Sequence, residues 1–316
     1  MAREQADFLW LNGAIVPWAD GTIHVASEVV KNGANVFEGI RGYWNDEQRE
    51  LYLFRVNDHL QRLRQSAKIL RLQWLYSFAE LEQAILDLIR RNKYNETIHV
   101  RPVIYFGEGD RYSWRPEQIE TGAFIVAIPG PHKPSVQTGV RSCISTWRRN
   151  SDVASPSRVK AGPNYHNSRL ATMEADLNGF GIPIMLNDRG RISESPGSCY
   201  MMVRDGVLIT PPVTADILES VTRLTVMQLA REELGLEVVE REVDRTEAYI
   251  AEESFFCGSG HEIVPIISVD HYEVGDGQVG PITRQVQKLY FDVVSGRVPR
   301  YKHWLTPVYN RVPVGV

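Results

Sequence analysis

Residues 158–167 read R-V-K-A-G-P-N-Y-H-N, and within them Lys160 stands between a loop-forming S-D-V-A-S-P-S-R run and the Gly162-Pro163-Asn164 break. A lysine so placed is held by its neighbours. Most lysines are solvated surface charges, and taken alone Lys160 reads as one. Its meaning depends on what the rest of the chain brings to it.

The chain has 316 residues, enough for two domains and a deep site. Lysine plus arginine (35) nearly balances aspartate plus glutamate (39), so no strong field selects nucleic acid or an anionic membrane, and a small-molecule partner is expected. The N-terminal M-A-R-E-Q-A-D-F is charged, and no apolar run approaches membrane-spanning length, which leads to the expectation of a cytoplasmic protein. Cys143, Cys199 and Cys257 are odd in number and far apart, and the eight histidines lack ligand spacing. Neither a disulfide framework nor a metal site is expected.

Upstream of Lys160, Phe8 to Trp18 predicts a hairpin about Asn12-Gly13. Residues 32–43 carry Gly33, Gly39 and Gly42 around Val36 and Phe37, a pattern that suits either close backbone approach or a plain turn beside a strand. A helix opening at Asn57 buries Leu60, Leu63, Ala67 and Leu70, with Arg62 and Arg64 off that stripe. A second opens at Ser77, whose capping box is completed by Glu80, and buries Leu81, Ile85, Leu88 and Ile89. In the strand 97–106, alternation puts His99 and Arg101 on one face, while Pro102 predicts an edge or a bulge. A strand over 123–128 runs into proline-marked residues, giving a smaller N-terminal α/β domain over 1–130 and a linker over 131–138.

Residues 139–316 form the expected larger domain. It opens with a strand over 140–147, then the Lys160 loop, then a helix over 166–178 with Leu170, Met173 and Leu177 inward. Strands at 184–186 and 192–193 form a hairpin that leaves Glu194 at its end. The helix entered through Ser220, Val221 and Thr222 presents orphan N–H groups of the kind that welcome a phosphate. Strands near 237–243, 254–257 and 262–269 follow, and a last helix opens at Pro281 and ends at Gly296.

These features carry a family pattern. F-E-G-I-R at 37–41, D-H-L-Q-R-L at 58–63, V-R-P at 100–102, K-A-G-P-N-Y at 160–165, I-S-E at 192–194, S-V-T-R at 220–223 and G-S-G-H-E-I at 258–263 follow the order and spacing of branched-chain amino acid aminotransferases, which the chain resembles from Phe8 to about Phe291. The resemblance implies an α+β, two-domain fold of the D-amino acid aminotransferase type (fold-type IV), with pyridoxal 5'-phosphate in the interdomain cleft and a homodimeric assembly. It implies that Lys160 holds the cofactor and moves the proton, that Glu194 faces the ring nitrogen, and that Tyr165 lies near the ring oxygen. Arg62, Ser220, Val221, Thr222 and Ser259 would hold the phosphate. Asn32, Phe37, Gly39, His99, Arg101, Ser259 and Gly260 would line the substrate pocket.

The departures cluster on the substrate side. Asn32 and His99 stand where the family usually has tyrosines, Ser220 replaces a usual glycine, and S-P-G-S-C-Y-M follows Glu194 where G-x-G-E-N-x-F is usual. The activity the resemblance implies is transfer of an amino group from a branched-chain-like, or larger and more polar, L-amino acid to a 2-oxo acid such as 2-oxoglutarate. Related scaffolds include D-amino acid and R-selective amine aminotransferases and an aminodeoxychorismate lyase, while a cofactor-binding protein without turnover is a reading of another class.

Overall fold

The computed structural model describes residues 6–109 and 115–310, so the charged residues 1–5 lie outside it. The chain divides into two compact units: Met1–Pro131 with Val159–Pro163 and Asp292–Val316, and His132–Arg158 with Asn164–Phe291.

In the first unit, β1 (Phe8–Leu11) and β2 (Ala14–Pro17) make the expected hairpin. They extend an antiparallel sheet with β3 (Asn35–Phe37), β4 (Ile40–Asn45), β5 (Glu50–Phe54), β6 (Ile98–Gly109), β7 (Ile119–Pro129) and the C-terminal strand Leu305–Pro307. The spatial order is Leu305–Pro307, β5, β4, β6, β7, β1, β2, with β3 also on β6. After the short α1 (Glu28–Asn32), α2 (Val56–Ile69) and α3 (Phe78–Asn92) set Leu60, Leu63, Ile85 and Ile89 into one core with Ile40, Val100 and Ile125. Each such side chain contributes about 1.5–3 kcal/mol of burial. Helix α3 has the predicted Ser77–Glu80 capping box. Helix α2 begins one residue before Asn57, behind Arg55 in a left-handed conformation whose Nε bonds to Asp58.

Pro102 does not lie at an edge. Strand β6 is central, and its proline falls where the neighbouring chain leaves β3 at Phe37 and starts β4 at Ile40. Glu38 N–H donates to the Pro102 carbonyl at that gap, so the missing proline N–H faces an interruption in the ladder.

The second domain was expected to be contiguous over 139–316 behind a linker at 131–138; the second unit instead takes in residues 132–138, is interrupted at 159–163 and ends at Phe291. Phe37 N–H donates to Lys160 O (2.9 Å) and Val36 bridges Ala161, so residues 159–163 add to the edge of β3. Leu305–Pro307 pairs with β5, and the buried Glu50 carboxylate then accepts the N–H groups of Val308, Tyr309 and Asn310. Backbone hydrogen bonding therefore returns both segments to the first unit.

The second unit opens with α4 (Ser135–Thr138), β8 (Val140–Ser142) and β9 (Ile144–Arg148). The strand expected over 140–147 is thus split at Cys143: β8 joins the strand Glu262–Val269, and β9 pairs with the strand Ile184–Leu186. Helix α5 (Asn164–Leu177), β10 (Ile184–Leu186), β11 (Cys199–Arg204), β12 (Val207–Thr210), α6 (Val221–Glu232), β13 (Val238–Glu240), β14 (Glu253–Gly258), β15 (Glu262–Val269), β16 (Tyr272–Glu273) and α7 (Pro281–Val294) follow. The main sheet runs β13-β12-β11-β14-β15-β16 with β8 on β15, around Tyr200, Met202, Phe256 and Ile266. Leu170, Met173 and Leu177 point outward from α5 rather than inward, with Leu177 85% exposed. The buried face is Asn164, Ser168, Ala171 and Ala175, a second stripe at helical spacing whose small side chains admit close packing. Among the described residues, no helix is long and apolar enough to cross a membrane.

Candidate active site

In the first unit the candidate residues gather around Lys160. Its carbonyl accepts from Phe37, and its N–H donates to Ser66 Oγ (3.2 Å), so the backbone is fixed on both sides while the side chain remains half-buried. Lys160 Nζ lies 5.0 Å from the centre of the Phe37 ring, and the Arg101 guanidinium lies 3.9 Å from the same ring. Cation–π attraction thus arranges two positive groups about one aromatic side chain.

His99 shares the β6 face with Arg101 and is paired in register with Arg41 of β4. Burial, then the charges of Arg41, Lys160, Arg101 and His59, push the His99 pKa down to about 4, which keeps the imidazole neutral near pH 7. A Cβ at position 39 would lie 2.8 Å from His99 Nε2, so only glycine permits this approach. Phe37, Gly39, His99, Arg101 and Lys160 therefore form one group.

Arg62 is committed to Glu38, a residue that sequence reasoning did not single out although F-E-G-I-R contains it. Arg62 Nε and Nη2 donate to the two Glu38 oxygens at 2.7 and 2.8 Å, and His59 Nδ1 approaches the carboxylate at 2.7 Å. Burial alone would raise the Glu38 pKa, but Arg62 and the His59 hydrogen bond overcome it and hold the carboxylate well below the usual range. Burial likewise lowers the His59 pKa. The trio is a buried frame that fixes the Arg62 side chain.

Asn32 does not join this group. It ends α1, is exposed, and its amide donates to Glu28 one turn earlier.

In the second unit, Glu194 is buried where the chain bridges to Cys199. Its Oε1 accepts from Arg149 Nη2 (2.7 Å) and Leu218 N (3.1 Å), and the Cys199 thiol lies 3.5 Å from Oε2. Arg149, not singled out in the sequence, is itself buried and also donates to Ser168. Burial, with Glu194 adding to it, pushes the Cys199 thiol well above its usual pKa, so it stays protonated.

Ser220 caps α6, its Oγ accepting from Arg223 N. The N–H groups of Val221 and Thr222 belong to the first turn, where a helix has no acceptor of its own. Thr222 Oγ1 lies 3.5 Å from Ser259 Oγ, which brings the turn at Ser259 and Gly260 to this helix end. Tyr165 is half-buried in the first turn of α5.

A lysine seated by backbone hydrogen bonds, a buried carboxylate held by an arginine, and an open helix end are the equipment of pyridoxal-phosphate transaminases of fold type IV, an α+β class. The chain belongs to the amino-transferase class IV family, whose pattern matches residues 35–269. It is 38% identical to the branched-chain-amino-acid aminotransferase of Salmonella typhimurium, over 98% of this chain and 99% of that protein. The branched-chain amino acid aminotransferase of Thermobaculum terrenum, solved in its PLP form, superposes with a TM-score of 0.92 at 43% identity, covering 97% of this chain and 99% of that one. The branched-chain aminotransferase of the archaeon Thermoproteus uzoniensis, solved with norvaline, gives 0.91 at 39% identity, covering 96% and 100%. The chain is accordingly a PLP-dependent aminotransferase, similar to the branched-chain enzymes.

The side chains fit that cofactor. Glu194 is a buried carboxylate, which accepts from Arg149 and Leu218 at Oε1 and from the Cys199 thiol at Oε2, and a carboxylate is the group that a protonated ring nitrogen requires as its partner. The first-turn N–H groups of α6, with the Thr222 and Ser259 hydroxyls, are a donor set for a phosphate.

Proposed function

We propose that the protein transfers an amino group from an L-amino acid to a 2-oxo acid, with 2-oxoglutarate as a good acceptor, and that it works as a cytoplasmic homodimer. The observation that carries the substrate assignment is the stack of Arg101 and Lys160 about Phe37 beside His99. An arginine fork in that position suits a second carboxylate on the substrate.

When bound, the cofactor supplies the electron sink that lets a proton leave the donor's amino-bearing carbon. Lys160 Nζ takes that proton and returns it on the cofactor side, and its fixed backbone limits the arc through which Nζ can swing. Glu194, paired with Arg149, would face the ring nitrogen and favour its protonated form. Val221, Thr222 and Ser259 take the phosphate, and Arg62, which Glu38 and His59 keep in one rotamer, is assigned to it as well. Tyr165 serves the ring oxygen, Ser220 shapes the helix end, and Ser259 with Gly260 serves the substrate carboxylate.

The donor is larger or more polar than leucine or valine in this reading. A neutral imidazole at 99 adds a polar group that an aliphatic side chain would leave unpaired, at a cost of about 1–3 kcal/mol. Asn32, exposed and bonded to Glu28, adds no such group, so His99 carries the distinction. Steady-state specificity constants across L-amino acids, D-amino acids and primary amines test it. Polar or larger L-donors should exceed leucine, isoleucine and valine by about tenfold or more, and His99→Tyr should reverse the order. Highest constants for the three aliphatic donors, unimproved by His99→Tyr, would refute the pocket assignment, and a preference for D-amino acids or amines would favour the related scaffolds.

A further inference from the structure

The segment after Glu194 departs from the family pattern, and its replacement residues are tied to the substrate turn. Residues 195–198 fold on themselves: Ser195 N–H donates to Ser198 O (2.9 Å), and Ser195 Oγ accepts from Ser198 N (2.9 Å) and Gly197 N (3.3 Å). The Ser195 and Ser198 hydroxyls meet at 2.7 Å. Ser195 is fully buried and Ser198 nearly so.

Across from this fold lies the loop of the β14–β15 hairpin, closed by the Gly258–Glu262 pair and containing Ser259, Gly260 and His261. His261 Nδ1 reaches Ser198 Oγ at 3.1 Å. Backbones approach as closely as side chains do: a Cβ on Gly258 would stand 3.1 Å from Ser198 Cβ and 3.2 Å from Gly197 O. The loop is also fastened at Ser259 to Thr222, and at Glu262, whose φ is +59°, to His132 at 2.9 Å. Of the side-chain hydrogen bonds named here, the one from His261 runs to the segment that carries Glu194.

We infer that Ser198 and His261 act as a pair of positioning residues, which hold the Ser259–Gly260 loop so that it receives the substrate carboxylate. This rests on the reading of the loop given above and replaces, in this chain, whatever the usual acid and amide of the G-x-G-E-N pattern do. The imidazole suits the task because burial pushes its pKa down to about 4, so its hydrogen bond to Ser198 persists unchanged through the neutral range. Neither residue touches a reacting atom in this assignment, and their effect is transmitted through the loop.

Three variants of the pyridoxal-phosphate-loaded protein separate this pair from simple packing: His261→Phe keeps the ring without the hydrogen bond, Ser198→Ala removes its partner, and His261→Asn keeps a hydrogen-bonding atom near Nδ1. The readout is equilibrium binding of an unreactive dicarboxylate, glutarate, by calorimetry, alongside cofactor occupancy from visible absorbance after dialysis. His261→Phe and Ser198→Ala should each weaken the carboxylate by about fivefold, the double variant by no more than either, and His261→Asn should recover most of the loss. Cofactor occupancy should stay at the wild-type level. Multiplying effects in the double variant, unchanged affinity in the singles, or no recovery in His261→Asn would overturn the pair. Wild-type protein that holds cofactor but fails to bind the carboxylate at all would instead overturn the reading of the loop.

Discussion

Lys160→Ala should abolish the half-reaction with every amino donor, lowering its rate by about 10⁴-fold or more, because the change removes the group assigned both to hold the cofactor and to move the proton. The fold should survive. The contacts that seat this segment are made by main-chain atoms: the Lys160 carbonyl on Phe37, its N–H on Ser66, and the bridge from Ala161 to Val36. What is lost with the side chain includes the contact with the Phe37 ring, worth about 0.5–1 kcal/mol. Single-turnover spectroscopy beside thermal unfolding separates the two effects. Transamination at the native rate by the alanine variant would remove Lys160 from the mechanism.

Glu194→Gln should reduce turnover by about 10²–10³-fold while cofactor remains bound. The surroundings of Glu194 dictate how the amide would lie. Arg149 Nη2 and Leu218 N both donate to Oε1, which favours the amide oxygen there and puts the NH₂ group in place of Oε2, beside the Cys199 sulfur. A donor would face the ring nitrogen where an acceptor had been, and the nitrogen could no longer keep its proton. Substrate binding, which this exchange does not touch, should change far less than kcat. An unaltered kcat in the cofactor-loaded variant would show that Glu194 has no part in the chemistry.

Local rules written in short windows were legible in the sequence. The Ser77–Glu80 capping box, the Asn12-Gly13 hairpin and the helix from Pro281 stand where spacing predicts them. Readings failed where tertiary context decided. Two stripes on α5 have helical spacing, and the more apolar one, through Leu170, Met173 and Leu177, faces outward because the face with Ser168, Ala171 and Ala175 packs more closely. Pro102 sits in a central strand because the neighbouring strand is interrupted beside it, a fact about another part of the chain.

The site divides in the same way. Lys160, Phe37, Gly39, His99 and Arg101 fall together as motif order suggested, whereas the groups that hold the charged residues were hidden. Glu38 carries a charge and Arg149 stands in the polar run R-R-N, so neither looks buried until the fold encloses it. Asn32 shows the converse: motif position put it in the pocket, but a helix-end hydrogen bond to Glu28 holds it at the surface.

If Lys160 carries the cofactor, chemical trapping will find the cofactor there. Hydride reduction of the purified, cofactor-loaded protein fixes pyridoxal phosphate to whichever lysine holds it, and peptide mass mapping then identifies that residue. The label should fall on the peptide containing R-V-K-A-G-P-N-Y, at Lys160. Label at another lysine, or loaded protein that takes up none, would exclude Lys160 as the residue that holds the cofactor.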